Sequence, residues 1–145
     1  MDGDLVFGTR MTLELPDAVR CRIVEDARSG SPAEVVGILV GRHGDPSRVE
    51  RAYRATNAAE RPEVRYEIAP AEELELLERI DASELDIVGF YHSHPRGPLE
   101  PSDTDARLAA WPGYSYVIVS LADEPPIASW RWRGDRFDPE SVRVV

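Results

Sequence analysis

The sequence predicts an α/β fold: a single curved sheet, mixed but mostly antiparallel, flanked by two or three helices. Three observations carry this expectation. Short apolar or alternating runs, bounded by Gly, Pro and polar clusters, recur along the chain. Helix signals occupy only two longer stretches and one short one. Hairpin-length connections near the end call for antiparallel pairing there. The 145 residues suit a single domain over 1–145, long enough to bury roughly 70% of the unfolded surface.

Met11 to Leu15 alternates apolar and polar residues and reads as a short strand. Pro16 opens a helix with Val19, Ile23 and Ala27 facing the core, and Gly30 and Pro32 end it. Val35 to Gly41 is a continuous apolar run, a buried strand, and Val49 to Ala55 resumes as a strand after a loop. Asn57 to Pro62 is a polar connection, and Val64 to Ile68 reads as another strand. Pro70 opens a second helix with Leu74, Leu77 and Ile80 inward and its glutamates on a solvated face. Asp86 to Tyr91 is a strand that runs into His92-Ser93-His94-Pro95. Arg96 to Pro101 is a loop, and Ser102 N-caps a short helix with Asp103 and Asp105 in its first turn. Tyr114 to Leu121, Ile127 to Arg133 and Phe137 to Val145 complete the strands.

The net charge of −10 repels phosphate backbones and argues against nucleic-acid binding. No apolar run approaches the ~20 residues that span a bilayer. Met1 to Gly8 lacks the pattern of a secretory signal, so the expectation is a cytoplasmic protein. Cys21 is the single cysteine, which excludes an internal disulfide and any Cys-based metal site. It reads as a buried small apolar residue on the first helix. All 17 basic residues are Arg. An acidic chain without Lys fits solubility in high salt, and equally a high-GC codon bias.

Any metal must therefore be held by nitrogen and oxygen. His92 and His94, at i and i+2 on a strand, leave the same face and can bind one ion. Zinc suits imidazole and carboxylate, and a catalytic zinc keeps three protein ligands plus water. Asp105 is the candidate third ligand, one turn from Ser102 and on the same side of its helix. The plainer readings stay open here: an incidental histidine pair, and Ser102 as a cap only. His43, in a Gly-rich turn, reads as a solvated loop residue. Glu34, just before a buried strand, is a candidate base for hydrolysis, though by itself it reads equally as an exposed strand-start residue. Trp130 and Trp132 share a strand face and read as packing.

Taken together, Glu34-Val-Val-Gly37, His92-Ser-His94-Pro95, seven residues from 95 to 101, and Ser102-x-x-Asp105 resemble the JAMM motif of MPN-domain metalloproteases. The resemblance covers about Met11 to Trp132. It implies a cytidine-deaminase-like MPN fold and one zinc ion per chain, with His92, His94 and Asp105 as its ligands. It implies Glu34 as the residue that holds the catalytic water and Ser102 as oxyanion stabiliser. It further implies cleavage of amide or isopeptide bonds after the C-terminal Gly-Gly of a ubiquitin-like protein or its conjugates. The short acidic chain is similar to haloarchaeal desampylases, which release such modifiers from lysines. Thr56-Asn57-Ala58 and Arg65-Tyr66 look instead like actinobacterial relatives that trim cysteine from a sulfur-carrier protein. Arg96 and Leu99 are the expected substrate contacts, with the substrate tail pairing along a strand edge. The weighed alternatives are a non-catalytic MPN scaffold, a RadC-like DNA-repair-associated protein and a zinc hydrolase of small molecules. The first lacks ligands that are present here, and the second opposes the charge.

Overall fold

The computed structural model describes residues 10–145, so the segment Met1 to Gly8 lies outside the described residues. Strand β1 (Thr12–Leu15) leads into helix α1 (Asp17–Gly30), then β2 (Val36–Arg42) and β3 (Ser47–Ala55). Helix α2 (Pro70–Ser83) precedes β4 (Asp86–His94), and the short α3 (Asp103–Leu108) follows it. The chain finishes with β5 (Ser115–Ser120), β6 (Ile127–Trp132) and β7 (Phe137–Val144).

The sheet runs β1-β3-β2-β4-β5-β6-β7 and curves until β7 pairs with β1 in parallel, which closes it as a barrel. The pairs β2–β3, β2–β4, β5–β6 and β6–β7 are antiparallel; β1–β3, β4–β5 and β1–β7 are parallel. The mixed, mostly antiparallel expectation is met, and closure is the addition. Closure leaves each described strand with a neighbour on both sides. The β1–β3 pairing involves only Ser47 and Arg48 of β3, so β3 from Val49 to Ala55 pairs with β2 alone and keeps an open edge among the described strands.

Two apolar clusters form because the central strands are buried on both faces. On one side Leu39, Val88, Tyr91 and Val117 pack with Ile23, Val24 and Ala27 of α1. On the other, Val36, Ile38, Val40 and Phe90 pack with Leu76 and Ile80 of α2. Gly37 has no side chain because a Cβ there would lie 2.2 Å from the Tyr91 ring.

Three expectations are corrected. Residues 64–68 do not form a strand; a single bridge joins Ile68 to Asn57, Val64 ends a turn and residues 65–67 are irregular. Leu76 and Ile80, one turn apart, form the buried stripe of α2, with Leu77 partly covered, while Leu74 is 60% exposed. Cys21 is exposed rather than buried, because it lies roughly 200° around α1 from Ile23. His43 is exposed, as expected, yet its Nε2 lies 3.0 Å from the Gly113 carbonyl and its ring stacks on Tyr114.

Candidate metal centre

Strand β4 keeps its ladder to its last residue. His92 lies opposite Val36 of β2 and Ile118 of β5, and His94 opposite Ser120. The two-residue period sends both imidazoles to one face and buried Ser93 to the other. The Ser93 hydroxyl accepts the Val35 N–H at 2.8 Å, and the Ser93 N–H donates to the Val35 carbonyl at 3.1 Å. The residue after Glu34 is thereby tied to the residue between the histidines.

Beyond His94 the chain reverses at Gly97, whose N–H donates to the His94 carbonyl at 2.8 Å. Gly97 adopts φ 75°, a left-handed conformation that glycine takes without strain. The reversal sets the Pro98 carbonyl 2.7 Å from His94 Nδ1. A carbonyl only accepts, so Nδ1 carries the proton and Nε2 keeps its lone pair. Such a partner on the far nitrogen is the usual orienting contact of a metal-binding histidine. His92 lacks one: its Nδ1 is buried without a partner, and its ring stacks on Tyr66 with centroids 4.6 Å apart.

Helix α3 begins with a capping box. The Asp105 N–H donates to Ser102 Oγ at 3.0 Å, and the Ser102 N–H donates to Asp105 Oδ2 at 2.8 Å. The cap turns a carboxylate oxygen toward the strand end. Asp105 Oδ2 lies 3.2 Å from His92 Nε2 and 3.1 Å from His94 Nε2, and the two Nε2 atoms are 3.2 Å apart. A tetrahedral ion bonded to nitrogen and oxygen at roughly 2.0–2.1 Å spaces its ligand atoms about 3.3 Å apart. This nearly equilateral triangle of buried donors fits such an ion.

Glu34 offers a second carboxylate, with an oxygen within 4.8 Å of both imidazoles. The donor set is thus two imidazoles and two carboxylates, all buried. The carboxylates differ in their attachments: Asp105 Oδ2 is held by the Ser102 amide, whereas Glu34 Oε1 is buried without a partner. Burial therefore raises the Glu34 pKa to about 7; Asp105 raises it too, partly offset by His94. Burial pushes Asp105 the same way, but its close contacts with both imidazoles and the Ser102 amide outweigh it and hold Asp105 far below the usual carboxylate range. Burial lowers His92. At His94 burial is opposed, and outweighed, by Asp105 and the Pro98 carbonyl, so its pKa is raised.

An open cleft of about 400 Å³ reaches this cluster, lined by Glu34, Glu63, Val64, His94, Arg96 and Ser102 among others. Glu34, His92, His94, Ser102 and Asp105 are brought together. Arg96 lines the cleft, whereas Leu99 is not among its lining residues, and the Leu99 carbonyl accepts the Trp130 indole N–H at 3.1 Å. Trp132 is buried, as its packing role anticipated. The sequence reading assigned no role to Ser93. A hydroxyl between two strand histidines, sent to the opposite buried face, was the available signal.

Residues 16–133 match the family described as prokaryotic homologs of the JAB domain. A desampylase of Haloferax volcanii is 41% identical over 140 residues, which cover 94% of this chain and 99% of that protein. A CysO-cysteine peptidase of Mycobacterium tuberculosis is 39% identical over 126 residues, 85% of this chain and 84% of that protein. Among solved structures, a JAB1/MPN domain protein of Archaeoglobus fulgidus superposes with a TM-score of 0.57 at 19% identity, covering 92% of this chain and 99% of that one, a likeness of fold. The chain belongs to the prokaryotic homologs of the JAB domain and is a JAMM-type metallohydrolase.

Proposed function

We propose that this chain is a zinc isopeptidase, one JAMM domain over its whole length, which removes small ubiquitin-like modifiers from protein lysines after their C-terminal Gly-Gly. The observation that carries the reading is the 3.1–3.2 Å donor triangle beside a buried, unpartnered Glu34 at the head of an open cleft. The similarity to a desampylase along nearly the full chain supports the substrate class. We place its action in the cytoplasm, where unpaired, exposed Cys21 stays reduced. No helix of the described residues is long and apolar enough to cross a membrane.

In this reading one zinc ion is held by His92 Nε2, His94 Nε2 and Asp105 Oδ2. When bound, it supplies Lewis-acid polarisation of the scissile carbonyl and of the attacking water. The chain's own groups do the rest. Glu34, whose pKa of about 7 suits proton transfer near neutrality, takes the proton of the attacking water. It then delivers that proton to the leaving lysine amine. The Ser102 hydroxyl accepts the Asp105 amide, which leaves its own hydrogen for the carbonyl oxygen as charge develops there. Arg96, on the cleft wall, contacts the incoming tail. Leu99 acts from behind the loop, through the Trp130 bond that fixes its backbone.

The second reading, removal of cysteine from a sulfur-carrier protein, is supported by the 39% identity to a CysO-cysteine peptidase. One incubation separates the two. Zinc-loaded protein is mixed with a Gly-Gly-tailed ubiquitin-like protein linked through lysine or through cysteine, and the products are weighed. Release from lysine is expected. Release from cysteine alone would favour the second reading, and cleavage of neither would overturn both.

A further inference from the structure

We propose that Asn57 is a positioning residue for Glu34: its carboxamide folds the segment after β3 into a clamp that fixes the Glu34 backbone beside the cleft. The inference rests on the reading of Glu34 as the catalytic base.

The Asn57 carboxamide has two N–H donors and two acceptor sites, and all are used. Nδ2 donates to the Glu34 carbonyl at 2.9 Å and the Arg65 carbonyl at 3.0 Å, with a longer approach to Pro62 at 3.4 Å. Oδ1 accepts the N–H groups of Ala59 at 3.0 Å and Glu67 at 3.1 Å. Every partner of Nδ2 is a carbonyl, and every partner of Oδ1 is a donor. The amide therefore has one orientation, and a carboxylate at this position would face three carbonyl oxygens.

The Oδ1 bond to Ala59 alone is an ordinary Asn turn. The bond to Glu34, 23 residues away, is not a turn contact. Glu34 is held on this side by two backbone bonds: its carbonyl to Asn57, and its N–H to the Pro62 carbonyl at 2.7 Å. Both belong to the segment that Asn57 folds. Because Glu34 Oε1 has no partner of its own, backbone placement does much to set where the carboxylate sits. The same segment lays Tyr66 on the His92 ring and contributes Glu63 and Val64 to the cleft. It is short of other fixings: one β-bridge, and Tyr66 and Ile68 as partly buried apolar anchors.

The test uses the full chain loaded with zinc and the lysine-linked conjugate, comparing wild type with Asn57→Asp and Asn57→Ser. A misplacement near 1 Å costs about a hundredfold in rate. The expected result is kcat lowered about thirtyfold to a hundredfold, KM changed less than about threefold, and zinc still near one per chain. Val49→Ala, a truncation in the opposite core that lowers the melting temperature, should keep wild-type kcat. In parallel, amide exchange at Glu34, Ala59 and Glu67 should accelerate at least about tenfold in both Asn57 variants. A kcat within about threefold of wild type in both variants, a loss of rate that follows zinc loss, or unchanged protection at Glu34 would each overturn the proposal. If wild type cleaves neither conjugate, the functional reading fails instead, and exchange at Glu34 alone decides whether Asn57 holds that backbone.

Discussion

The two sides of the candidate site are anchored by different means. On one side His92 and His94 end a strand paired with both neighbours, β2 and β5, inside a closed sheet. On the other, Glu34 sits just before β2 and is held by Ser93 through Val35, by the Pro62 carbonyl and by the Asn57 side chain. Imidazoles on a ladder cannot shift without disturbing the sheet. A carboxylate on a strand lead-in can be tuned by a loop. The difference separates what must be rigid from what is adjustable, and it gives opposite expectations for substitutions on the two sides.

The largest effect belongs to the strand side. His92→Ala removes one corner of the donor triangle, so the protein should lose bound zinc and all conjugate cleavage above background, while circular dichroism stays native. Metal content by mass spectrometry checks this. Retained zinc together with retained activity would show that the triangle is not the centre.

Glu34→Gln tests the loop side. Cleavage should fall about 10²–10⁴-fold, the usual worth of a positioned base. It also makes a stability prediction in the metal-free protein. The Glu34 pKa is about 7 when folded, against the ordinary 4.5. A raised pKa means the folded state binds the proton more tightly. This group's stabilising contribution is therefore complete below pH about 4.5 and is lost as pH rises through about 7. Glu34→Gln removes that loss, so the metal-free variant should melt higher than wild type at pH 8, by about 1–3 kcal/mol of stability, and match it near pH 4. Thermal melts at both values check the sign.

Ser102→Ala should cost about 10²–10³-fold in kcat if its hydroxyl meets the developing oxyanion. It should also cost about 1 kcal/mol of stability through the lost cap. A stability loss with kcat unchanged would leave only the cap. The smallest effect is expected at Gly97→Ala, where φ 75° costs a Cβ about 1–2 kcal/mol and the added atom lies 3.2 Å from Ser120 Oγ. Because the Gly97 turn presents Pro98 to His94, zinc affinity should weaken modestly, which chelator competition measures.

What the sequence made legible follows the same divide. The i, i+2 histidines fixed their shared face through strand period alone. Ser102 was readable as an N-cap and Asp105 as a first-turn residue on its side of the helix; the capping box they form is what aims the carboxylate. Glu34 was ambiguous from its own surroundings, because its burial depends on residues from 57 to 67 and on Ser93, all distant in the chain. Val64, Tyr66 and Ile68 alternate like a strand, yet the carboxamide of Asn57 satisfies this segment's backbone groups instead of a ladder. On α2 the apolar positions 74, 76, 77 and 80 allow two stripes, and only the packed sheet selects Leu76 with Ile80. Closure of the barrel by β1 and β7 joins the two ends of the described chain, a pairing with no local signature.

In the proposed reading, two carboxylates near the same imidazoles divide the labour, Asp105 toward the metal and Glu34 toward the proton. Zinc content per chain in wild type, Glu34→Gln and Asp105→Ala tests it most directly. About one zinc is expected in wild type and in Glu34→Gln, and little or none in Asp105→Ala. Zinc lost from Glu34→Gln and kept by Asp105→Ala would exchange the two roles and contradict it.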